Sequence, residues 1–201
     1  MHALADIPPN SFGAILSDPP WTYSVFSDKG KGRSAEQHYN TMSLADICAL
    51  PVAPLAKRDC HLFMWVTGPC LVKGMHLPVM EAWGFKPSSD VFVWLKAKRV
   101  DFENGCFFLD ETVFAKGMGH TSRKNAEYVV LGRRGAPRRL SKAIHQIIVA
   151  PKREHSRKPD EIYDRIEAYC AGPYLEMFAR QSRPGWTSWG NETRKFDEVA
   201  A

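Results

Sequence analysis

Short apolar runs recur along the chain: Gly13 to Leu16, Leu62 to Val66, Val91 to Trp94, Tyr128 to Leu131, Ile147 to Ala150 and Tyr174 to Phe178. Each is apolar almost throughout instead of alternating, the pattern of strands covered on both faces. Three helix signals lie between them. Ser43 caps a segment with Asp46 at its third position and Leu44, Ile47 and Leu50 on one face. Leu71 to Trp83 predicts a second helix, ended by Gly84. The third has Pro159 at a first helical position, Asp160 and Glu161 in the first turn, Ile162, Ile166 and Tyr169 at helical spacing, and Gly172 beyond. Strands alternating with helices predict an α/β fold, a mainly parallel sheet with helices on both faces. Such folds bind ligands beyond the carboxyl ends of their strands. The stretch from Lys96 to Asn125 has no period and holds Gly105, Gly117 and Gly119. A loop of that length in a compact domain is functional or disordered.

With 201 residues, 44% of them hydrophobic, the chain suits a single domain over 1–201 with one site. No apolar run nears the ~20 residues that cross a bilayer, and the N-terminus shows no basic-then-apolar signal, so a cytoplasmic protein is expected. Five cysteines without a close pair read as reduced packing residues, and the seven histidines form no zinc-like cluster, so metal-free chemistry is expected. The net charge of +5 favours a polyanionic partner. Its cations are grouped: Lys29, Lys31 and Arg33; Lys96, Lys98 and Arg99; Arg133, Arg134, Arg138, Arg139 and Lys142. All three groups come after apolar, strand-like runs, which predicts that they gather at one end of the sheet.

The chemistry centres on Asp18-Pro19-Pro20-Trp21, at the exit of the first apolar run. An aromatic amino nitrogen is a poor nucleophile because its lone pair is delocalised into the ring. Two acceptors holding its hydrogens pull it towards a tetrahedral shape and free that pair. The Asp18 carboxylate supplies one acceptor and the Pro19 carbonyl the other, held rigid by the fixed proline φ. Trp21 offers a flat face for a base, worth ~1–3 kcal/mol. Orientation of this kind is a large catalytic term.

These residues resemble the DPPW-type N6-adenine methyltransferases, a family that includes the catalytic subunit of the eukaryotic messenger-RNA adenosine methyltransferase and short bacterial and phage enzymes. The likeness runs from about Phe12 to Glu192. It includes Tyr39 to Ser43, Phe63 to Gly68, the strand ending at Trp94, Lys158 to Tyr163, Leu175 to Arg180 and Gly185 to Glu192. The resemblance implies a Rossmann-like, S-adenosyl-L-methionine-dependent domain with permuted motif order, the catalytic motif early and much of the cofactor site last. It places Lys158 near the cofactor carboxylate, Arg180 near the ribose, and Asn191 with Glu192 near the adenine edge, with Asp18 and Phe178 in the same site. Pro20 belongs to the catalytic motif, and Tyr39, Trp65 and Trp94 are pocket wall or base contacts. Glu127 falls where the family has an acid lining the active site, and Lys96, Arg123 and Lys124 are candidate phosphate contacts. Two departures stand out. Only Gln181-Ser182-Arg183-Pro184 separates Arg180 from Gly185, and the segment before Asp18 is shorter than the one that helps bind cofactor adenine in longer members.

The expected reaction is methyl transfer to adenine N6 in nucleic acid, DNA favoured over RNA because the RNA-specific members generally bring extra domains or partners. The alternatives are an RNA adenosine methyltransferase and a non-catalytic nucleic-acid-binding subunit, against which the intact motif argues. Cytosine N4 and glutamine methylases are disfavoured by Asp18. A homodimer or a partner subunit is compatible with the chain.

Overall fold

The structure is a computed structural model that describes residues 4–22, 41–98, 114–115, 117, 121–154 and 156–197. Its centre is a seven-stranded sheet: β1 (Phe12–Ser17), β2 (Ala56–Thr67), β3 (Lys86–Ala97), β4 (Ala126–Arg134), β5 (Ile147–Pro151), β6 (Tyr174–Met177) and β7 (Trp186–Trp189), in the order β5-β3-β4-β2-β1-β6-β7. Parallel ladders join β1 to β2 and β6, β3 to β5, and β6 to β7, whereas β4 is antiparallel to both β2 and β3. Six strands therefore point one way and β4 alone is reversed. This is the mainly parallel α/β sheet that the pattern predicts.

Alternate residues of β1, β2, β4 and β6 feed two cores, and β3 and β5 add to the second. Ile15, Leu62, Met64, Val66, Leu175 and Met177 pack on Ile47 of α1 (Leu44–Ala49) and on Val79 and Met80 of α3 (His76–Ala82). Ala14, Leu16, Phe63, Trp65, Val129 and Ile148 face Ile162, Tyr163 and Ile166 of α4 (Glu161–Tyr169). Helices thus cover both faces. Ser43 caps α1 as expected, accepting from the Asp46 backbone N–H at 3.1 Å.

The single helix expected over Leu71 to Trp83 is two, α2 (Gly68–Val72) and α3. Gly74 breaks it at φ +66°, a left-handed turn that closes the first helix through its N–H to Leu71 and the Met75 N–H to Cys70. The pattern also missed β7, whose Thr187 and Ser188 sit between two tryptophans on an edge strand.

Because β4 is reversed, the basic groups do not gather as expected. Arg133 pairs in register with Lys86, the first residue of β3, and Arg134 with Cys60 in the first half of β2. The group from Arg133 to Lys142 therefore starts at the end of the sheet opposite to Asp18. Lys96 and Lys98 lie at the Asp18 end. Lys29, Lys31, Arg33 and Arg99 are outside the described residues, as is most of the Lys96–Asn125 stretch. Among the described residues no helix is long and apolar enough to cross a membrane.

Candidate active site

The carboxyl-terminal edge of the six aligned strands is also the amino-terminal edge of β4, so Glu127 stands in the same row as Thr67 and Trp94. Asp18 leaves β1 with its N–H towards Met177 of β6, at 3.4 Å. Lys158, in the connection from β5 to α4, reaches both acids: its Nζ is 2.9 Å from Asp18 Oδ2 and 3.1 Å from Glu127 Oε2. Lys96 closes on the other oxygen of Glu127. Four charges of alternating sign, Lys96, Glu127, Lys158 and Asp18, thus form one chain across three strand ends and a loop. Burial opposes ionisation of Glu127, but Lys158 and Lys96 outweigh it and hold the carboxyl down at about 2. Burial likewise works against the Lys158 charge, yet Asp18 and Glu127 raise its pKa well above the ordinary lysine value.

Three tryptophans lie beside this chain of charges, and Trp65 lines the adjoining crevice. Trp65 and Trp94 are buried and meet edge to face at 6.3 Å, with Lys158 over the first ring and Lys96 over the second at 5.4 and 5.0 Å. Trp94 Nε1 donates to the Ala150 carbonyl at 3.0 Å. Trp21 is only 4% exposed, its indole N–H given to the Trp65 carbonyl at 3.1 Å. In place of the open stacking face expected of it, Trp21 is a buried member of the core that holds Ile15, Met64 and Met177. The Pro19 carbonyl accepts the Trp21 backbone N–H at 2.8 Å, leaving its second lone pair for another donor. Pro20 gives its carbonyl to the Met42 N–H at 3.0 Å.

A second group adjoins the first. One crevice is lined by Asp18, Trp65, Lys158, Glu176, Phe178 and Arg180, among others. Phe178 has φ +62°, unusual without glycine, and turns the chain so that Ala179 donates to Trp189 at 2.9 Å. Gly190 fits beside this turn because a Cβ there would come within 2.8 Å of the Ala179 carbonyl. Arg180 Nε is 3.8 Å from Glu192, which also binds Lys195 at 2.6 Å. Asn191 is exposed at the same strand end. Arg123 and Lys124 are exposed just before β4, and Tyr39 lies outside the described residues.

Sequence reading missed two groups. Arg153 donates to both oxygens of Asp160, at 2.7 and 3.0 Å, and to the Lys158 carbonyl, so it holds the loop that presents Lys158. Glu176 takes the Tyr163 hydroxyl at 3.0 Å on Oε1, while its buried Oε2 has no hydrogen-bond partner. Burial, together with the nearby Asp18 charge, pushes Glu176 up to about 7 against the pull of that hydrogen bond. The acidic residue in Tyr174-Leu175-Glu176-Met177 interrupts a buried strand, which was the available signal.

Residues 12–192 match the MT-A70 family. The chain belongs to the MT-A70 family. It is 30% identical over 206 residues to the type II methyltransferase M.MunI of a Mycoplasma species, covering 92% of this chain and 79% of that protein. It is 30% identical to an MT-A70-like N(6)-adenosine-methyltransferase of Arabidopsis thaliana and 27% identical to the human catalytic subunit METTL3, in each case over 90% of this chain. The chain spans only 24% and 28% of those two longer proteins.

Proposed function

We propose that this MT-A70 methyltransferase transfers the methyl group of S-adenosyl-L-methionine to the N6 amino nitrogen of adenine in DNA. The observation that carries the reading is the meeting of Asp18 and Lys158 at 2.9 Å on the edge where a strand-end ligand belongs. The residues fit the cofactor: Lys158 suits a carboxylate, the orphaned Glu176 Oε2 suits an ammonium, and both line one crevice. Phe178, Arg180, Asn191 and Glu192, on the turns after β6 and β7, are the groups assigned to its ribose and adenine. When bound, the cofactor supplies an electrophilic methyl on a sulfonium.

The protein's own work is orientation. Asp18 Oδ2 holds Lys158, so Oδ1 is the oxygen that takes an amino hydrogen of the base, and the Pro19 carbonyl takes the other with its free lone pair. Trp65 and Trp94 wall the base slot. The proton shed by the methylated nitrogen passes to Asp18 or to water. DNA is favoured over RNA because the relative spanned for most of its length is a type II methyltransferase.

The test is mass spectrometry of nucleosides from DNA and RNA exposed to the chain and S-adenosyl-L-methionine. N6-methyladenine in DNA is expected, and Asp18→Ala should abolish it while the thermal midpoint stays within a few degrees. Methylation of RNA alone would reassign the substrate. Near-normal turnover by a folded Asp18→Ala variant would remove Asp18 from the mechanism.

A further inference from the structure

Cations are distributed unequally over the two halves of the sheet. Around α4 and the β6–β7 side most are neutralised by acids, Arg153 by Asp160, Arg165 by Glu161, Arg183 by Asp164, and Arg180 and Lys195 by Glu192, while Arg194 is exposed without an ion pair among the described residues. On the β5–β3–β4 side Lys96 is held by Glu127, but most of the exposed cations have no such partner among the described residues. Lys98, Arg123, Lys124 and Lys152 are exposed near the catalytic edge, and Arg133, Arg138, Arg139 and Lys142 are exposed farther down. None of these eight has an ion pair among the described residues. Two acids close to this side make no ion pair among the described residues and hold neutral donors instead: Asp59 accepts the Ala136 N–H at 2.7 Å, and Asp90 accepts the Gln146 amide at 2.9 Å.

The two sets are joined by a fixed path. From the far end of β4 the 135–146 loop is anchored by that Asp59 contact, by the Leu140 N–H to Tyr169 at 2.8 Å, and by the Gln146 carbonyl accepting from Val93 at 3.0 Å. It then enters β5, the outermost strand, whose last residue leads into Lys152 beside Ala97. At about 3.3 Å per residue, Arg133 lies about 20 Å below Glu127 along β4. Along the axis of a B-form duplex each strand carries one phosphate per about 3.4 Å, so this distance corresponds to about six base pairs of duplex.

We propose that this stripe is a track for one sugar–phosphate backbone: a strand whose adenine occupies the Asp18 site runs down the β5 side of the sheet onto the 135–146 loop. The inference rests on the proposed function and adds where the substrate lies. Short substrates engage only the catalytic edge, and longer ones gain the far cations.

The test is fluorescence anisotropy across a salt series, with the full chain and adenine-containing DNA of about six and about twenty nucleotides, alongside methyl transfer to both. The wild-type chain should bind the longer DNA at least tenfold more tightly. Arg138→Ala/Arg139→Ala/Lys142→Ala should lose that gain and lower the log–log salt slope by about 2 to 3. Its thermal midpoint, its cofactor affinity and its methylation of the short DNA should be unchanged, and Arg138→Lys/Arg139→Lys should keep the parent slope. Equal binding of both lengths by the wild-type chain, or a triple variant with the parent slope, overturns the track while leaving the function standing. Competition by polyglutamate of matched charge as strong as by DNA would assign the stripe to an acidic protein and overturn it as well. A chain that methylates no nucleic acid overturns the function and the track together.

Discussion

Asp18 faces two ways: one carboxylate oxygen is held by Lys158 at 2.9 Å, and the proposed mechanism gives the other to the base. Lys158 is itself divided between Asp18 and Glu127, so a change at any of the three is felt by the others. Glu176 titrates in the working range, since its carboxyl is pushed up to about 7 from an ordinary value near 4.5. With the folded pKa raised, the folded chain holds the proton more tightly than the unfolded one between these values. Stability from this group is therefore full below about pH 4.5 and is lost as pH rises through about 7. Glu176→Gln should flatten the fall of the thermal midpoint between pH 5 and pH 7, read by scanning calorimetry. A variant with the parent's pH dependence would show that Glu176 ionises normally. Glu127 has the opposite sign: held at about 2, it adds stability above the ordinary glutamate range that is lost as pH falls towards 2.

Among the elements, the loop between β5 and α4 contributes most to the site for its length. Arg153 ties it at two points, the Asp160 carboxylate and the Lys158 carbonyl, and Gln181 reaches the same carboxylate at 3.2 Å. Both partners of the Arg153–Asp160 pair are partly exposed, so its contribution to overall stability is small. Its effect is on geometry. Arg153→Ala should weaken S-adenosyl-L-methionine binding about tenfold, as loss of a supporting contact typically does, with a shift of the thermal midpoint of no more than a few degrees. Titration calorimetry giving the parent affinity would rule out this positioning role. The reversal of β4 matters equally, because it brings Glu127 to the catalytic edge and takes Arg133 away from it.

For the molecule as a whole, one sheet separates two cores, and the site sits at the edge where both end. Trp83 is fully buried on the α1–α3 side and donates its indole N–H to the Ile47 carbonyl at 3.0 Å. Trp83→Ala should cost about 3–5 kcal/mol through the cavity left and the orphaned carbonyl. Denaturant unfolding measures that loss. The folded fraction should keep its turnover, because Trp83 belongs to the core cluster and lines none of the crevice around Asp18. A turnover loss exceeding the loss of folded protein would couple this core to the site. Charge is also organised at this scale: most cations around α4 and the β6–β7 side are paired, whereas Lys98, Arg138, Arg139, Lys142 and Lys152 on the β5 side have no ion pair among the described residues.

Much of this was legible in the residues taken in order. Apolar runs announced six of the seven strands, since a strand covered on both faces must be apolar throughout, and Asp18-Pro19-Pro20-Trp21 at a strand exit led to the family, with Lys158 following only from that resemblance. The rest depended on long-range pairing. Nothing local to Ala126–Arg134 says which way β4 runs, because an apolar strand reads alike in both directions, and that choice decides where Glu127 and Arg133 lie. The gap at Gly74 depended on a turn whose period resembles a continuous helix. The lone oxygen of Glu176 and the clamp of Arg153 on Lys158 exist only once β6, α4 and the loop after β5 meet. Sequence determined which side chains were available and which elements carry them; tertiary structure decided which charges face each other, because electrostatic partners are set by distance in space and burial, not by order along the chain.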